Sequence, residues 1–216
     1  MAGRQRRQRE QAGTRANILA AALALAQEEG WPGVTMRKIA GRIDYTHAAL
    51  YAYFATKDDL LLALFRDSTD LLVAALEGAR ASSPDQAATL LAIGRAYWDF
   101  AWENPAHYQL LNGLGGVSLA VPETITEGRR AEAVVAAVLQ GQDAPHDSLA
   151  ASDRVTILWA TLHGLVSLGL AGRLTREHGA LLVAQVARNV LGGWAIPSPA
   201  DWDAPIADQT RDPTDS

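Results

Sequence analysis

Apolar residues recur at three- and four-residue spacing almost from one end of the chain to the other. Ile18, Leu19, Ala22, Leu23, Leu25 and Ala26 form one such series, and Gly30, Pro32 and Gly33 stop it. That period turns one side of a helix toward a core. Thr35 stands where it can cap a short helix carrying Met36, Ile39 and Ala40. Thr46 can cap a second one with Leu50 and Phe54 at i and i+4. Thr56, followed three residues later by Asp59, makes a capping box, so a longer helix starts at Lys57 and carries Leu60, Leu61, Leu64, Phe65, Leu71 and Leu72 up to the break "ASSPD". Further helices are expected over 85–103, 106–111, 122–140, 152–171 and 175–191, separated by "NPAHY", "GQDAPHDS" and "GRLT". No run sustains a period of two, so the expected fold class is all-α.

Composition narrows the function classes. A chain of 216 residues, 49% hydrophobic, is long enough to bury a core. The absence of cysteine removes disulfides, thiolate metal sites and a cysteine nucleophile together. The apolar runs "ILAAALALA" and "LLALF" fall short of the roughly 20 residues a membrane span needs. The basic start "MAGRQRRQREQAG" does not lead into an uncharged apolar stretch, so no secretory signal is expected and the chain is read as cytoplasmic. The net charge of -5 conceals an asymmetry: residues 1–57 hold nine basic against four acidic side chains, net +5, and the remainder ten against twenty, net -10. A basic N-terminal module suits a polyphosphate partner, from which the acidic remainder is held away. The expected organisation is a basic disordered arm at 1–12, a basic module of short helices at 13–60, a larger acidic helical domain at 61–195 and a disordered tail at 196–216.

Two short helices joined by a tight turn and braced by a longer one make a helix-turn-helix, whose second helix enters the major groove. Thr46, His47, Ala48 and Ala49 open that helix. Small side chains at 48 and 49 let the backbone approach base edges, Ala can meet a thymine methyl, and free N–H groups suit a phosphate. Tyr51, Tyr53 and Lys57 leave toward the flanking backbone, and Arg37, Lys38 and Arg42 add cations around the turn. Other chemistry finds no support. "GLGG" at Gly113 to Gly116 lacks a preceding strand and a GK[ST] sequence. His107, His146 and His178 show no paired-ligand spacing, so no metal site is expected. Ser118, His163 and Asp153 have no nucleophile-elbow context. No catalytic residue, cofactor or enzymatic activity is expected.

"TMRKIA", the turn, "LYAYF" and "TKDDLL", in that order and spacing, resemble the TetR family of bacterial transcription regulators over about residues 13–64. The resemblance implies an all-helical homodimer that binds an operator in double-stranded DNA, with a C-terminal domain that takes a small effector and dimerises through its last two helices. Carried over by position, Arg37, Thr46, His47, Ala49, Tyr51, Tyr53 and Lys57 fall where the family commonly touches DNA. Where the family usually has Gly in the turn this chain has Asp44, with Tyr45 at the apolar position after it. "YWDFAWENPAHYQLL" and "WATLHGLVSLGL" are similar to a subgroup whose C-terminal domain carries a Trp, His, Gly signature, here Trp159, His163 and Gly164. Trp98 and Trp102 lie one helical turn apart, as do Trp159 and His163. With Tyr108 they are the expected wall of a pocket for a small, largely apolar molecule. In the last helices Leu158, Leu162, Leu165 and Leu168, with Trp159 and Val166, put apolar groups on more than one face, and Gly164, Ser167 and Gly169 would permit close helix approach. The expected function is an effector-released repressor on an inverted repeat. The alternatives are a DNA-binding regulator without a small effector, whose C-terminal domain serves dimerisation or a protein partner, and a helical enzyme or carrier with an incidental basic end.

Overall fold

The structure is a computed structural model that describes residues 2–82, 85–117, 119, 122–139 and 150–193. The expected tail at 196–216, the loop 141–148, Ser118 and His146 lie outside the described residues. The described residues form helices α1 (Ala2–Glu29), α2 (Met36–Arg42), α3 (His47–Tyr51), α4 (Lys57–Ala81), α5 (Gln86–Glu103), α6 (Pro105–Leu111), α7 (Pro122–Leu139), α8 (Ala151–Leu170) and α9 (Arg176–Gly193), with a 3-10 turn at Trp31–Gly33 and no strand among them. The all-α reading holds.

Contacts divide the chain into two compact units, one of residues 1–77 and 99–134, the other of 78–98 and 135–216. In the first, α1 packs on α2 and α6, and α2 on α3. Its core gathers Ile18, Ala22 and Leu25 from α1, Ile39, Leu50 and Phe54 from the short helices, and Leu60, Leu61 and Leu64 from α4, with Trp31 sealed beneath. Leu50 and Phe54 are buried as their i, i+4 spacing requires. Ala106, Leu110 and Val117 belong to the same cluster, so α6 closes the core of α1 to α4 instead of standing apart from them. Arg66 pairs with Glu127 at 3.4 Å and Arg130 with Asp70 at 2.7 Å, tying α7 to α4 along an exposed seam.

One sequence expectation fails at the start of the chain. The arm expected to be disordered is helical from Ala2, continuous with α1. Arg, Gln, Glu and Ala are good helix formers, Arg6 and Glu10 pair at i, i+4, and no Pro interrupts the run. Its lack of an apolar face means that it is solvated, which a helix can be as well as a coil.

In the second unit α8 and α9 pack as an antiparallel pair, turned at Gly172 with φ 70°. Leu158, Leu162 and Val166 are buried within this chain. Ile157 and Leu168 are 41% and 40% exposed, and with Ala160, Thr161 and Gly164 they make a small, apolar outer face on α8. The apolar residues of this helix therefore split: the 158/162/166 edge serves the core, and the 157/164/168 edge is left outside.

Candidate nucleic-acid interface

The turn between α2 and α3 is where a side chain had to accept an unusual backbone. Tyr45 N donates to Ala40 O at 3.0 Å and Ile43 N to Ile39 O at 3.3 Å. That is a Schellman-type helix end, in which the residue before Tyr45 must be left-handed. Asp44 takes that place with φ 56°, alone among described non-glycine residues in having positive φ. Asp tolerates the region because its short polar side chain can bond locally. Tyr45, denied a deep core position, stays 42% exposed and brings its hydroxyl to 3.4 Å from Thr14 Oγ1.

Caps then set the register of both short helices. Thr35 Oγ1 accepts from Lys38 N and Thr46 Oγ1 from Ala49 N, each at 3.2 Å, with both residues extended. The capping box at α4 is closed both ways: Asp59 N donates to Thr56 Oγ1 at 3.0 Å, and Thr56 N to Asp59 Oδ2 at 2.9 Å. Ala49's N–H is thus already used and is not among the N–H groups at the start of α3 left free for a phosphate.

These caps hold up an exposed ridge. Thr46, His47, Ala48 and Tyr51 are exposed, and Ala49 is partly covered. The His47 and Tyr51 rings meet edge to face, 5.0 Å apart at 83°, which holds both rotamers before any partner arrives. Tyr53 is half-buried against the core, so only part of its ring is available. Arg37 is exposed on α2, and Lys57 begins α4 half-exposed. All eight sequence-predicted positions, Arg37, Thr46, His47, Ala48, Ala49, Tyr51, Tyr53 and Lys57, fall on α2, α3 and the first turn of α4 or directly between them.

Two cations of this stretch do not belong to that surface. Arg42 makes a two-pronged bond to the Glu28 carboxylate, Nη1 to Oε2 at 2.7 Å, and Lys38 Nζ bonds Glu29 Oε2. The Arg42 hydrogen bond holds the Glu28 carboxyl below its usual range and raises the guanidinium in turn. Both pairs fasten α2 to the end of α1. Sequence offers Lys38 and Arg42 as phosphate contacts because Glu29 and Glu28 stand 9 and 14 residues away. Arg15 carries no such signal in the sequence, yet its guanidinium lies 4.6 Å from the centre of the Phe54 ring. Gln11, Ala12 and Arg15 face Ala52 and Tyr53 across a groove of about 380 Å³.

The five residues expected to wall an effector pocket divide between the units: Trp102 and Tyr108 in the first, Trp98, Trp159 and His163 in the second. Tyr108 and Trp98 are fully buried. Trp98 Nε1 donates to Arg176 O at 3.2 Å, and its ring covers Gly179 so closely that a Cβ there would lie 2.1 Å from it. Trp98 is a core residue with its one donor committed. Trp159 differs. Its ring meets Tyr97 at 4.6 Å, and its Nε1 is buried with no hydrogen-bond partner among the described residues. His163, one turn on, has its pKa lowered by burial.

A pair that sequence could not find lies on α4 and α6. Ser68 Oγ donates to Leu64 O at 2.6 Å, and His107 Nδ1 lies 2.8 Å from the same hydroxyl oxygen. With its proton spent on the carbonyl, Ser68 must accept, which assigns the Nδ1–H tautomer to His107. Burial lowers the His107 pKa, with Asp67 opposing. Serine's proton points away from the imidazole, so the pair ties two helices and does not activate a nucleophile. Among the described residues no acidic or histidine cluster could hold a metal, and no helix is long and apolar enough to cross a membrane.

Comparison with known proteins agrees with this geometry. Residues 18–64 match the model for bacterial regulatory proteins of the tetR family, and residues 90–190 match the tetracyclin repressor-like C-terminal domain. The HTH-type transcriptional regulator Rv0681 of Mycobacterium tuberculosis is 29% identical over 163 residues, 74% of this chain and 71% of that protein. The regulatory protein SCO4313 superposes with a TM-score of 0.69 at 28% identity, over 86% of this chain and 98% of that one. PfmR of Thermus thermophilus, a TetR family transcriptional regulator, shares the fold with a TM-score of 0.62 at 21% identity, over 81% and 93%. With the helix-turn-helix and the helical C-terminal domain each matched to the same family, the chain belongs to the TetR family of DNA-binding transcriptional regulators.

Proposed function

We propose that the chain is a homodimeric repressor that holds an inverted-repeat operator through α3 of each protomer and lets go when a small, largely apolar effector binds. The ridge of Thr46, His47, Ala48 and Tyr51 carries this reading: it is exposed, pre-ordered by a cap and a ring contact, and flanked by Arg37 and Lys57. Thr46 and His47 read base edges, and Arg37 and Lys57 grip phosphate and fix register.

The outer face of α8 supports the dimer. Ile157, Ala160, Thr161, Gly164 and Leu168 lie within one stripe of the helix, and a Cβ added at Gly164 would meet nothing within 4 Å. A second copy covers such a face closely, and an isologous contact sets two recognition helices one helical turn of DNA apart, about 34 to 36 Å. The unpartnered Trp159 Nε1 supports an effector. A buried donor left unpaired costs roughly 1–3 kcal/mol, which an apolar ligand carrying one acceptor would recover. The reading without an effector keeps one observation in its favour: Trp98, an expected wall residue, has its N–H committed within the core.

Selection from a random duplex library tests the proposal. The wild-type chain should enrich an inverted repeat, and Gly164→Trp should lose it while keeping its helical spectrum. Enrichment of a single half-site, with sedimentation as a monomer at micromolar concentration, would refute it.

A further inference from the structure

The helical arm changes what the basic N-terminus can do. On a helix turning 100° per residue, Arg4, Arg7, Gln11 and Arg15 fall within a stripe about 80° wide. Arg9 and Arg6 leave the backbone about 160° and 140° round the helix from the middle of that stripe, and Glu10, which pairs with Arg6 at 3.5 Å, leaves it about 100° away, on the flank. One face therefore presents cations and amides with no carboxylate among them, and Arg4, Arg7, Gln11 and Arg15 are all exposed. The stripe is also continuous with the ridge described above. Arg15 is held on the Phe54 ring, and Gln11 and Arg15 border the groove whose far side is Ala52 and Tyr53.

We infer that this face is a rigid, helical phosphate-tracking rail, laid along the DNA backbone next to the segment that Tyr53 and Lys57 touch. The inference rests on the DNA-binding reading and extends it to residues 4–15. At 1.5 Å per residue the rail runs about 16 Å from Arg15 to Arg4, the rise of roughly five phosphates on one strand. A guanidinium presented on a helix needs no folding on contact, so less side-chain and backbone freedom is lost than a flexible arm would lose. Guanidinium groups held along the phosphate backbone, away from the base edges, add affinity for any duplex and no preference among sequences. Gly13 is the weak link, exposed and with open space where a Cβ would sit.

Binding of the full chain to a fluorescein-labelled random-sequence duplex of about 30 base pairs, followed by anisotropy between roughly 50 and 200 mM salt, tests the rail. Replacing Arg4 and Arg7 together by Ala should lower the slope of log K against log salt by about 1.8 for each arm engaged. The off-face double replacement of Arg6 and Arg9 by Ala should leave the slope where it was. Gly13→Pro breaks the helix between rail and body, while Thr14 remains to cap the helical turns beyond it. It should reproduce the loss seen with Arg4 and Arg7, at an unchanged melting temperature. Equal losses from the two double variants, or a Gly13→Pro chain with the wild-type slope, would mean a flexible charged arm and overturn the rail. A wild-type slope in the Arg4/Arg7 variant would remove the N-terminus from the interface altogether. If the wild-type chain bound no duplex, or if Lys57→Ala changed nothing, the DNA surface itself would be misassigned and not the rail alone.

Discussion

Replacing Asp44 tests the turn on which the placement of α3 depends. At φ 56° this residue is left-handed, a region that costs an ordinary L-residue roughly 1–2 kcal/mol and Asp or Asn less. Glycine avoids that cost but loses about 0.5–1 kcal/mol of chain entropy relative to Ala. Asp44→Ala should therefore destabilise the chain by about 1 kcal/mol, and Asp44→Gly should stabilise it by up to about 0.5 kcal/mol. For a chain of this size that is a fall of about 2–4 °C for Ala and a rise of about 1–2 °C for Gly. Thermal unfolding by circular dichroism reads this, at one fixed protein concentration because dimers melt in a concentration-dependent way. Asp44→Asn separates backbone from charge: it keeps tolerance of the left-handed region yet removes a carboxylate beside the recognition helix, so duplex affinity should rise for all sequences alike. An Asp44→Ala chain melting with or above the wild type would refute the strain argument. Tighter binding confined to one sequence would refute the electrostatic part.

Other outcomes rest on single contacts. Gly179→Ala puts a methyl group where the Trp98 ring already lies, at 2.1 Å, and should cost about 1–3 kcal/mol in a denaturant titration. Thr46→Ala removes the cap of α3 and should cost about 1 kcal/mol while also weakening operator binding, measured by unfolding and gel shift on one preparation. The lowered His107 pKa means that below about pH 6.5 the unfolded chain takes up a proton the folded chain resists. Stability is then complete above that pH and falls as pH drops toward the folded-state value. His107→Asn, which retains a donor for Ser68, should flatten part of the fall in urea midpoints, and His163, shifted the same way by burial, should account for another part.

The elements most readable in the sequence are those whose signals are local. Thr35, Thr46 and the Thr56–Asp59 box cap the helices assigned to them, because a cap needs only three residues of chain. The 3.6-residue period places Leu50 and Phe54 inside for the same reason. What escapes is decided by distant partners. Lys38 and Arg42 look like phosphate ligands until α1 brings Glu29 and Glu28 against them, and the Ser68–His107 tie joins residues 39 apart. The arm escapes for a different reason: polarity excludes it from a core without excluding a helix, and its composition favours one. Trp98 and Trp159 are indistinguishable as letters, yet Arg176's carbonyl satisfies one indole and nothing described satisfies the other.

The bonds from Glu28 and Glu29 to Arg42 and Lys38 bear on how such a protein searches a genome. A cation already neutralised from within displaces no counterion from DNA, so two of the nine positive charges in the first 57 residues add little to sequence-blind residence. Each missing contact lowers the salt exponent of non-specific binding by about 0.9, which shortens the time spent on each of the roughly 10⁶–10⁹ wrong sites that compete with one operator. The same two acids hold α2 in place for the base-reading helix behind it. Bracing and fast release from the wrong sequence thus come from one pair of carboxylates, and neutralising them should slow the search as well as loosen the fold.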